Sequence, residues 1–440
     1  MIAPLSAEYR EAVLWQEQAP TPADGAPPAL PERADVAVVG AGYAGLSAGR
    51  ALADAGRSVV VLDSHPVGWG ASTRNGGMVI PELKAGPAAL ERAYGPLGRR
   101  LYAEVNEAFD HVEALVAGPD PAIACDYART GQLYLAHSPR HVAGLEAMAR
   151  EHGEGGLGEP VRFVPRDALA AEVGSGAFHG GVVIERTGGL HPARFHAGLV
   201  RSALAAGVAL VGATRAAAVS PRPGPGPASS SSGPGFRVDT TRGPVAAGEV
   251  VVCANAYADG LVPALRRRVL PVGSFIIATE VLDPDVAAAV SPRGRMLVDT
   301  RNFLHYWRLT PDGRMLFGGR RSLSPSTIPE ARDFLYGEML RIHPQLAGIK
   351  VDRAWGGDVA ITLDRMPHVG RLGGVWYAAG CNGSGVALNT WLGDRVGRHL
   401  AGDADPPSFT ELRHRAIPLH ATRRAWLPAV GAYLRWQDGR

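Results

Sequence analysis

Apolar residues run along this chain in two rhythms. Val36 to Val39 and Ser58 to Leu62 are short, nearly unbroken apolar runs, and between them lies an Ala- and Leu-rich stretch from Leu46 to Asp54. Short unbroken runs read as strands buried on both faces, and the longer stretch between them reads as a helix. The order is strand, helix, strand, and the second strand ends on Asp63. The same patterning predicts helices over Leu97 to Val116, His141 to His152, Pro192 to Ala206, Ala331 to His343 and Thr390 to Leu400. It predicts strands at Gly131 to Leu135, Gly181 to Ile184 and Val208 to Val211, and one from Glu249 running into a small-residue turn at Ala256. Further strand patterns fill 270–320 and 353–385. A short helix (Ala7 to Gln16) and a Pro-rich segment (Pro20 to Pro31) lead in. Pro221 to Gly235, with four consecutive serines, predicts a flexible loop inside a hairpin. Runs of strands set between pieces of strand–helix pattern indicate an α/β protein of two domains, discontinuous in sequence.

The turn between the first strand and its helix is Gly40-Ala41-Gly42-Tyr43-Ala44-Gly45. A strand before, a helix after and an acid at the end of the second strand make this a dinucleotide-binding fingerprint. Gly40 permits the tight turn, Gly42 lets backbone approach a pyrophosphate at the helix N-terminus, and Gly45 lets helix and strand pack closely. Asp63 can accept hydrogen bonds from a ribose. Three features favour FAD over NAD. No second convincing fingerprint exists, since Gly174-Ser175-Gly176 lacks a preceding strand. The small-residue run Gly68 to Gly77, directly after the acid, can wrap a pyrophosphate and reach a flat ring. Ala379 to Val386 sets a Gly-rich turn before a late helix, whose N-terminus would stabilise negative charge on a reduced flavin.

Composition removes other classes. The chain is 46% hydrophobic and 20% charged, and its net charge of +3 is too small to imply a nucleic-acid partner. Cys125, Cys253 and Cys381 are far apart and show no metal spacing, so no metal is expected and a reducing cytoplasm is. Met1 to Gln18 lacks a basic segment followed by an apolar core, so it does not read as a signal peptide. No apolar run approaches the roughly 18 residues of a membrane span.

With these motifs in place, the chain resembles the D-amino-acid-oxidase-like FAD-dependent oxidoreductases, and within them the gamma-glutamylputrescine oxidase branch. The resemblance covers nearly the whole chain. It rests on Gly42 to Ser47, Gly68 to Gly77, Tyr306 to Thr310 with Leu316 to Gly319, Trp355 to Gly357, Thr362 to Pro367 and Gly380 to Leu388. It implies a glutathione-reductase-like FAD-binding Rossmann domain, from residues 35–85, 181–255 and 351–410. A mixed-sheet α+β substrate domain would come from 86–180 and 256–350, leaving 1–34 as a lead-in and 411–440 as a helical tail. The FAD would be held by Gly40, Gly42, Tyr43, Ala44, Gly45, Asp63 and Ser64. The second loop would add Gly70, Ala71, Ser72, Arg74, Asn75, Gly76, Gly77 and Met78. Ala254, Gly356, Gly380, Asn382, Gly383, Ser384, Gly385 and Val386 would complete the site. The implied reaction oxidises a C–N bond: hydride leaves the α-carbon of a neutral amine for flavin N5, and the imine hydrolyses. The electron acceptor would be O2 or another oxidant.

Departures from the family pattern narrow the substrate. Where relatives hold a substrate carboxylate with a cation, this chain offers Thr310, Val359, Ala387 and the run Met78 to Ile80. These absences point to a primary or secondary amine with no carboxylate beside the reacting carbon, such as a polyamine or its gamma-glutamyl conjugate. The alternative is an amino-acid oxidase or dehydrogenase anchoring a carboxylate with Arg308, and a further one is a flavin-binding protein without turnover. No Cys precedes the Thr-x-Asp segment and no His lies in Ala71 to Met78, so the FAD is expected to be non-covalent. Neither of the two lysines, Lys84 and Lys350, lies where relatives activate oxygen, which leaves dehydrogenase activity open. For catalysis, alternation along Phe303 to Arg308 puts His305 and Trp307 on one face and Tyr306 and Arg308 on the other. Either face can meet the flavin: Tyr306 to steer the amine, or His305 to take its proton. Glu280 reads as a strand-end carboxylate, His191 and His196 as residues around a helix start, and Cys381 as a small packed residue.

Overall fold

Val36, Ala37 and Val38 are buried, as are Val60, Val61 and Leu62, so each run needs apolar cover on both faces. The computed structural model describes residues 2–21, 28–118, 123–154, 161–222, 235–258 and 260–439. Among these, Arg33–Val39 lies parallel to Val59–Leu62, with Val36 opposite Val59, and parallel to Gly243–Val252, with Val36 opposite Glu249. Ala209–Val211 and Val375–Ala379 extend the sheet in the same sense on its two sides. Ala216–Arg222 and Gly235–Thr240 form an antiparallel pair, the hairpin expected around the Pro/Gly/Ser tract; residues 223–234 of that tract lie outside the described residues, as do 22–27 of the Pro-rich lead-in. Helices Tyr43–Asp54, Pro192–Ala205 and Gly385–Ala401 cover one face, where Val38, Leu46, Val61, Leu199 and Trp391 share a core.

A second sheet is broader. Among the described residues its nine strands run Leu5–Arg10, Val351–Ile361, Leu270–Val281, Arg314–Gly319, Tyr306–Leu309, Met296–Asp299, Gln132–Leu135, Gly180–Ile184, Val161–Pro165. It mixes parallel and antiparallel neighbours. Three assignments change here. The lead-in is not a helix over Ala7 to Gln16: Leu5–Arg10 is the edge strand of this sheet, paired with Val351–Ile361, and the helix is Leu14–Gln18. Gly180–Ile184 pairs with Gln132–Leu135 and Val161–Pro165 rather than with the nucleotide sheet. Val351–Ile361 pairs along its length with Leu270–Val281. Both segments are apolar enough to be central in either sheet, and only the pairing decides between them.

The broad sheet has two different faces. Trp307, Phe317, Ile277 and Ala354 pack with Leu335 and Met339 of helix Ile328–Ile342. Leu316, Ile276 and Trp355 point the other way and pack with Trp15 and Ala193, with Tyr306 against the same cluster. That second face looks toward the nucleotide sheet's loops. The tail folds as helix Arg423–Asp438. Its Asp438 carboxylate accepts the backbone N–H groups of Asn302 at 2.7 Å and Phe303 at 3.1 Å, tying the tail to the broad sheet.

Candidate functional site

Helix Tyr43–Asp54 starts at Gly42 with no side-chain cap and no acid in its first turn. Such a start leaves backbone N–H groups and the positive end of the helix dipole for an anion. The helix reaches its strand because Gly45 has no side chain: a Cβ there would lie 1.8 Å from the Gly40 carbonyl oxygen. Ser72 closes over the turn, its Oγ accepting the Tyr43 N–H at 3.0 Å. Asp63 ends the neighbouring strand. Its Oδ2 accepts the Ala41 N–H at 2.8 Å and its Oδ1 the His65 N–H at 3.0 Å. Burial raises its pKa against the pull of those two amides. Ser64, next along, is exposed and bonds His65 Nδ1 at 2.9 Å.

The loop 68–77 is pinned from every side. Asn75 spends its amide inside the loop, donating to Tyr43 Oη at 3.2 Å and to the carbonyls of Ala71 and Ser72, and accepting the Gly77 N–H at 2.8 Å. Arg74 lies over the Trp69 ring, 4.5 Å from its centroid, and donates to the carbonyls of Trp69 and Gly356. Gln16 donates to Gly68 O at 2.9 Å and to Thr73 Oγ1 at 2.7 Å. The indole of Trp15, fully buried, donates to Asn75 O at 2.9 Å, and that of Trp355 to Arg74 O at 2.8 Å. Met78 pairs with Gly189 in a short two-stranded ribbon. Trp15 and Gln16 were missed in the sequence; the signal was an amphipathic run with a tryptophan, Val13-Leu14-Trp15-Gln16, inside what reads as a lead-in.

Helix Gly385–Ala401 is the second bare start: Ser384 makes no capping bond and no acid lies in the first turn. Asn382 holds the turn before it, its Oδ1 accepting the Thr362 N–H at 3.1 Å, and the Asn255 amide donates to Cys381 Sγ at 3.3 Å and accepts the Gly380 N–H at 2.9 Å. Gly383 stands at φ 101° and Val386 is buried. Ala254 directly precedes Asn255, at the end of Gly243–Val252. The helix crosses Tyr43–Asp54 closely, since a Cβ on Gly393 would lie 2.1 Å from Ala44 O. The two uncapped helix starts therefore belong to one packed pair.

The strand Tyr306–Leu309 settles which face meets the loops. Gly76 sits against the Tyr306 ring, so that a Cβ there would be 3.1 Å from it. Arg308 is buried and donates Nε to Gly76 O at 2.8 Å and Nη2 to Leu190 O at 2.6 Å, with its guanidinium 5.4 Å from the Trp15 ring centroid. Burial pulls its pKa down to about 10. His305 lies on the other face, a correction to its reading as a proton acceptor. Its Nδ1 bonds Asp299 Oδ2 at 3.1 Å and its ring stacks on Phe317, 5.5 Å between centroids, under the outer helix. Tyr306 Oη is 3.3 Å from Ser274 Oγ, and burial raises the phenol's pKa.

Other candidates have structural partners. His191 caps helix Pro192–Ala205, its Nδ1 accepting the Arg194 N–H at 3.3 Å. His196 is fully buried, and its Nε2 lies 2.8 Å from Ala41 O. Glu280 accepts the Lys350 N–H at 2.8 Å. Lys84 pairs with Glu82 at 3.5 Å, and both lysines are exposed. Among the described residues, no helix is long and apolar enough to cross a membrane.

A βαβ nucleotide turn, a second bare helix start packed on the first, and a broad mixed sheet facing both through a pinned loop define a two-domain dinucleotide-dependent oxidoreductase. Residues 35–398 match the family described as FAD dependent oxidoreductase, and the chain belongs to that family. The gamma-glutamylputrescine oxidoreductase of Escherichia coli (strain K12) is 32% identical over 405 residues, covering 90% of this chain and 91% of that relative. The glycine oxidase of Geobacillus kaustophilus superposes with a TM-score of 0.71 at 21% identity, over 88% of this chain and 100% of that one. The L-proline dehydrogenase of P. horikoshii gives 0.70 at 18%, over 86% and 96%. The fold is that of these enzymes, and the chain is an FAD-dependent oxidoreductase.

Proposed function

We propose that this enzyme oxidises a C–N bond of a primary or secondary amine, a polyamine-like compound or a gamma-glutamyl conjugate of one, with FAD held non-covalently. The observation that carries the reading is the state of Arg308. The guanidinium open to anchoring a carboxylate beside the reacting carbon spends two of its arms on Gly76 and Leu190 carbonyls and lies over Trp15. It is a strut between the broad sheet and the loop. The similarity to the Escherichia coli enzyme supports the same reading.

The described residues fit the cofactor. Contacts run without a break from Asp63 through Ala41, Tyr43 and Ser72 to Gly76 and Tyr306, a path suited to an elongated dinucleotide. Gly40, Gly42, Ala44 and Gly45 would present backbone to the pyrophosphate, Asp63 and Ser64 would take the adenosine side, and Gly70 to Met78 would line the remainder. Helix Gly385–Ala401, with Gly380, Asn382, Gly383 and Ser384, would present its positive end to the ring system; Ala254 and Gly356 would close the site's margins. When bound, FAD supplies the two-electron acceptor for the hydride of the C–N bond, and the imine left behind hydrolyses to a carbonyl compound and an amine.

The chain's own groups position the substrate. Tyr306 Oη with Ser274 Oγ offers a hydroxyl pair at the inner face of the sheet, able to accept from an ammonium and orient the neutral amine. The raised pKa of the Tyr306 phenol keeps its proton on, so it steers rather than deprotonates. The test is product analysis: aerobic or dye-coupled turnover of gamma-glutamylputrescine and putrescine, with the aldehyde trapped and the released nitrogen measured. Stoichiometric aldehyde supports the reading. No product from any amine, with products from glycine or sarcosine, overturns it.

A further inference from the structure

The tail carries an apolar stripe and a set of arginines that no part of the reaction uses. Helix Arg423–Asp438 docks through Leu427 and Gly431, both buried, with Leu427 and Trp426 packed on Leu270 and Val272. A helix that met only protein on one side and water on the other would be polar on its outer face. This one is not. Ala425, Ala429, Ala432 and Trp436, at the i, i+4, i+7, i+11 spacing of one helical face, are all exposed, and no charged residue shares that face. Tyr433 lies beside them and stacks on Trp436 at 5.9 Å between centroids. Tyr433 is 55% exposed, Trp436 53%, and Leu419, just before the helix, 73%.

The arginines gather at the same place. From residue 411 onward the chain holds six arginines against Glu411 and Asp438, so this stretch alone exceeds the net charge of +3 of the whole chain. The segment Arg266 to Arg268 runs alongside, Arg267 O accepting the Ile417 N–H at 2.8 Å and Arg268 Nε donating to His414 O at 2.9 Å. Arg266, Arg267, Arg413, Arg415 and Arg424 are exposed, and among the described residues none of them pairs with a carboxylate. Exposed arginines elsewhere do pair: Arg194 with Asp126 and Arg398 with Asp394, each at 2.7 Å. The tail's own acids are spent on other groups, Glu411 on Arg100 at 2.7 Å and Asp438 on the N–H groups of Asn302 and Phe303. Arg424 and Arg435, eleven residues apart, lie along one flank of the apolar stripe.

Uncompensated positive charge calls for an anionic partner, and a second copy of the same face would only repeat it. A nucleic acid would use the charge but leave the alanines and Leu419 uncovered. An anionic lipid surface uses both: aromatic rings and small aliphatic groups enter the headgroup and acyl boundary, while arginine stems lie along it and their heads reach the phosphates. We propose that the tail docks this enzyme on an anionic phospholipid surface, with helix Arg423–Asp438 lying in the interface and Tyr433 and Trp436 inserted. The inference is independent of which amine is oxidised.

The test sediments the FAD-loaded, full-length enzyme with vesicles of phosphatidylcholine alone, and with vesicles of phosphatidylcholine and phosphatidylglycerol in equal parts. The anionic vesicles should bind at least about tenfold tighter, and added salt should weaken that binding. Arg413→Gln and Arg424→Gln together should cost on the order of 20-fold, at about fivefold per arginine. Tyr433→Ser with Trp436→Ser should cost about tenfold or more through the apolar area removed, with the salt dependence kept. Flavin absorbance and amine turnover in solution should stay at wild-type values in both double variants. No sedimentation with anionic vesicles, equal affinity for the two kinds of vesicle, or unchanged affinity in both double variants overturns the proposal. Tighter binding to duplex DNA than to anionic vesicles overturns it as well and assigns the arginines to nucleic acid. Should a variant fail to fold, the vesicle and salt comparisons on the native enzyme still decide.

Discussion

Replacing Arg308 by Met tests whether that residue is a strut or an anchor. The substitution keeps an unbranched chain of similar reach but removes every donor. Two buried acceptors, Gly76 O and Leu190 O, lose their partners, at about 1–3 kcal/mol each. The loss of the contact with the Trp15 ring adds about 0.5–2 kcal/mol. Against this, the native guanidinium is itself buried without a carboxylate, and a pKa pulled down to about 10 marks an uncompensated cost of roughly 3 kcal/mol, which the apolar side chain removes. The balance is a change of about 0–5 kcal/mol, destabilising at its centre. The assay is the urea midpoint of the FAD-loaded enzyme, followed by tryptophan fluorescence, with FAD affinity measured beside it. Both should fall, since the loop 76–77 loses its support from the broad sheet. A variant with an unchanged midpoint and unchanged FAD affinity, but with carboxylate substrates or ligands no longer bound, would refute the strut and restore Arg308 as an anchor.

Three further outcomes follow from the same contacts. Trp15→Phe leaves Asn75 O without its donor, so FAD affinity should fall and stability should drop by about 1–3 kcal/mol; equilibrium dialysis of FAD and a urea curve check this. Gly393→Ala forces a methyl toward Ala44 O, where 2.1 Å is available, and should cost at least about 1–3 kcal/mol and loosen the paired helices; a thermal midpoint equal to wild type would contradict the close crossing. Asp299 is fully buried; burial alone would raise its pKa, but His305 and Arg301 outweigh it and the pKa lies below the usual value. A depressed carboxylate stabilises the fold above its unfolded pKa and loses that contribution as pH falls through the folded value. The stability gap between wild type and Asp299→Asn should therefore be widest at neutral pH and shrink below about pH 4, read from urea midpoints across that range.

The nucleotide half of the molecule was legible because its signals are local. Gly40 to Gly45, the flanking apolar runs and Asp63 are contiguous, and each carries its own steric reason. The bare start of helix Gly385–Ala401 was legible for the same cause. The broad sheet was less so, since its order is set by pairing between distant segments. Nothing within Leu5–Arg10 announces that it pairs with Val351–Ile361, and an alternation too short to exclude a helix gave the wrong element. The choice between His305 and Tyr306 had the same origin: period two fixes which residues share a face, and only tertiary packing fixes which face meets the loop.

The measurement that bears most directly on the central claim is anaerobic stopped-flow absorbance of the FAD-loaded enzyme mixed separately with gamma-glutamylputrescine, putrescine, sarcosine and D-alanine. The account predicts fast bleaching of the oxidised flavin band by gamma-glutamylputrescine, with putrescine next and the two amino acids inert. Bleaching by sarcosine or D-alanine with none from the amines would contradict it.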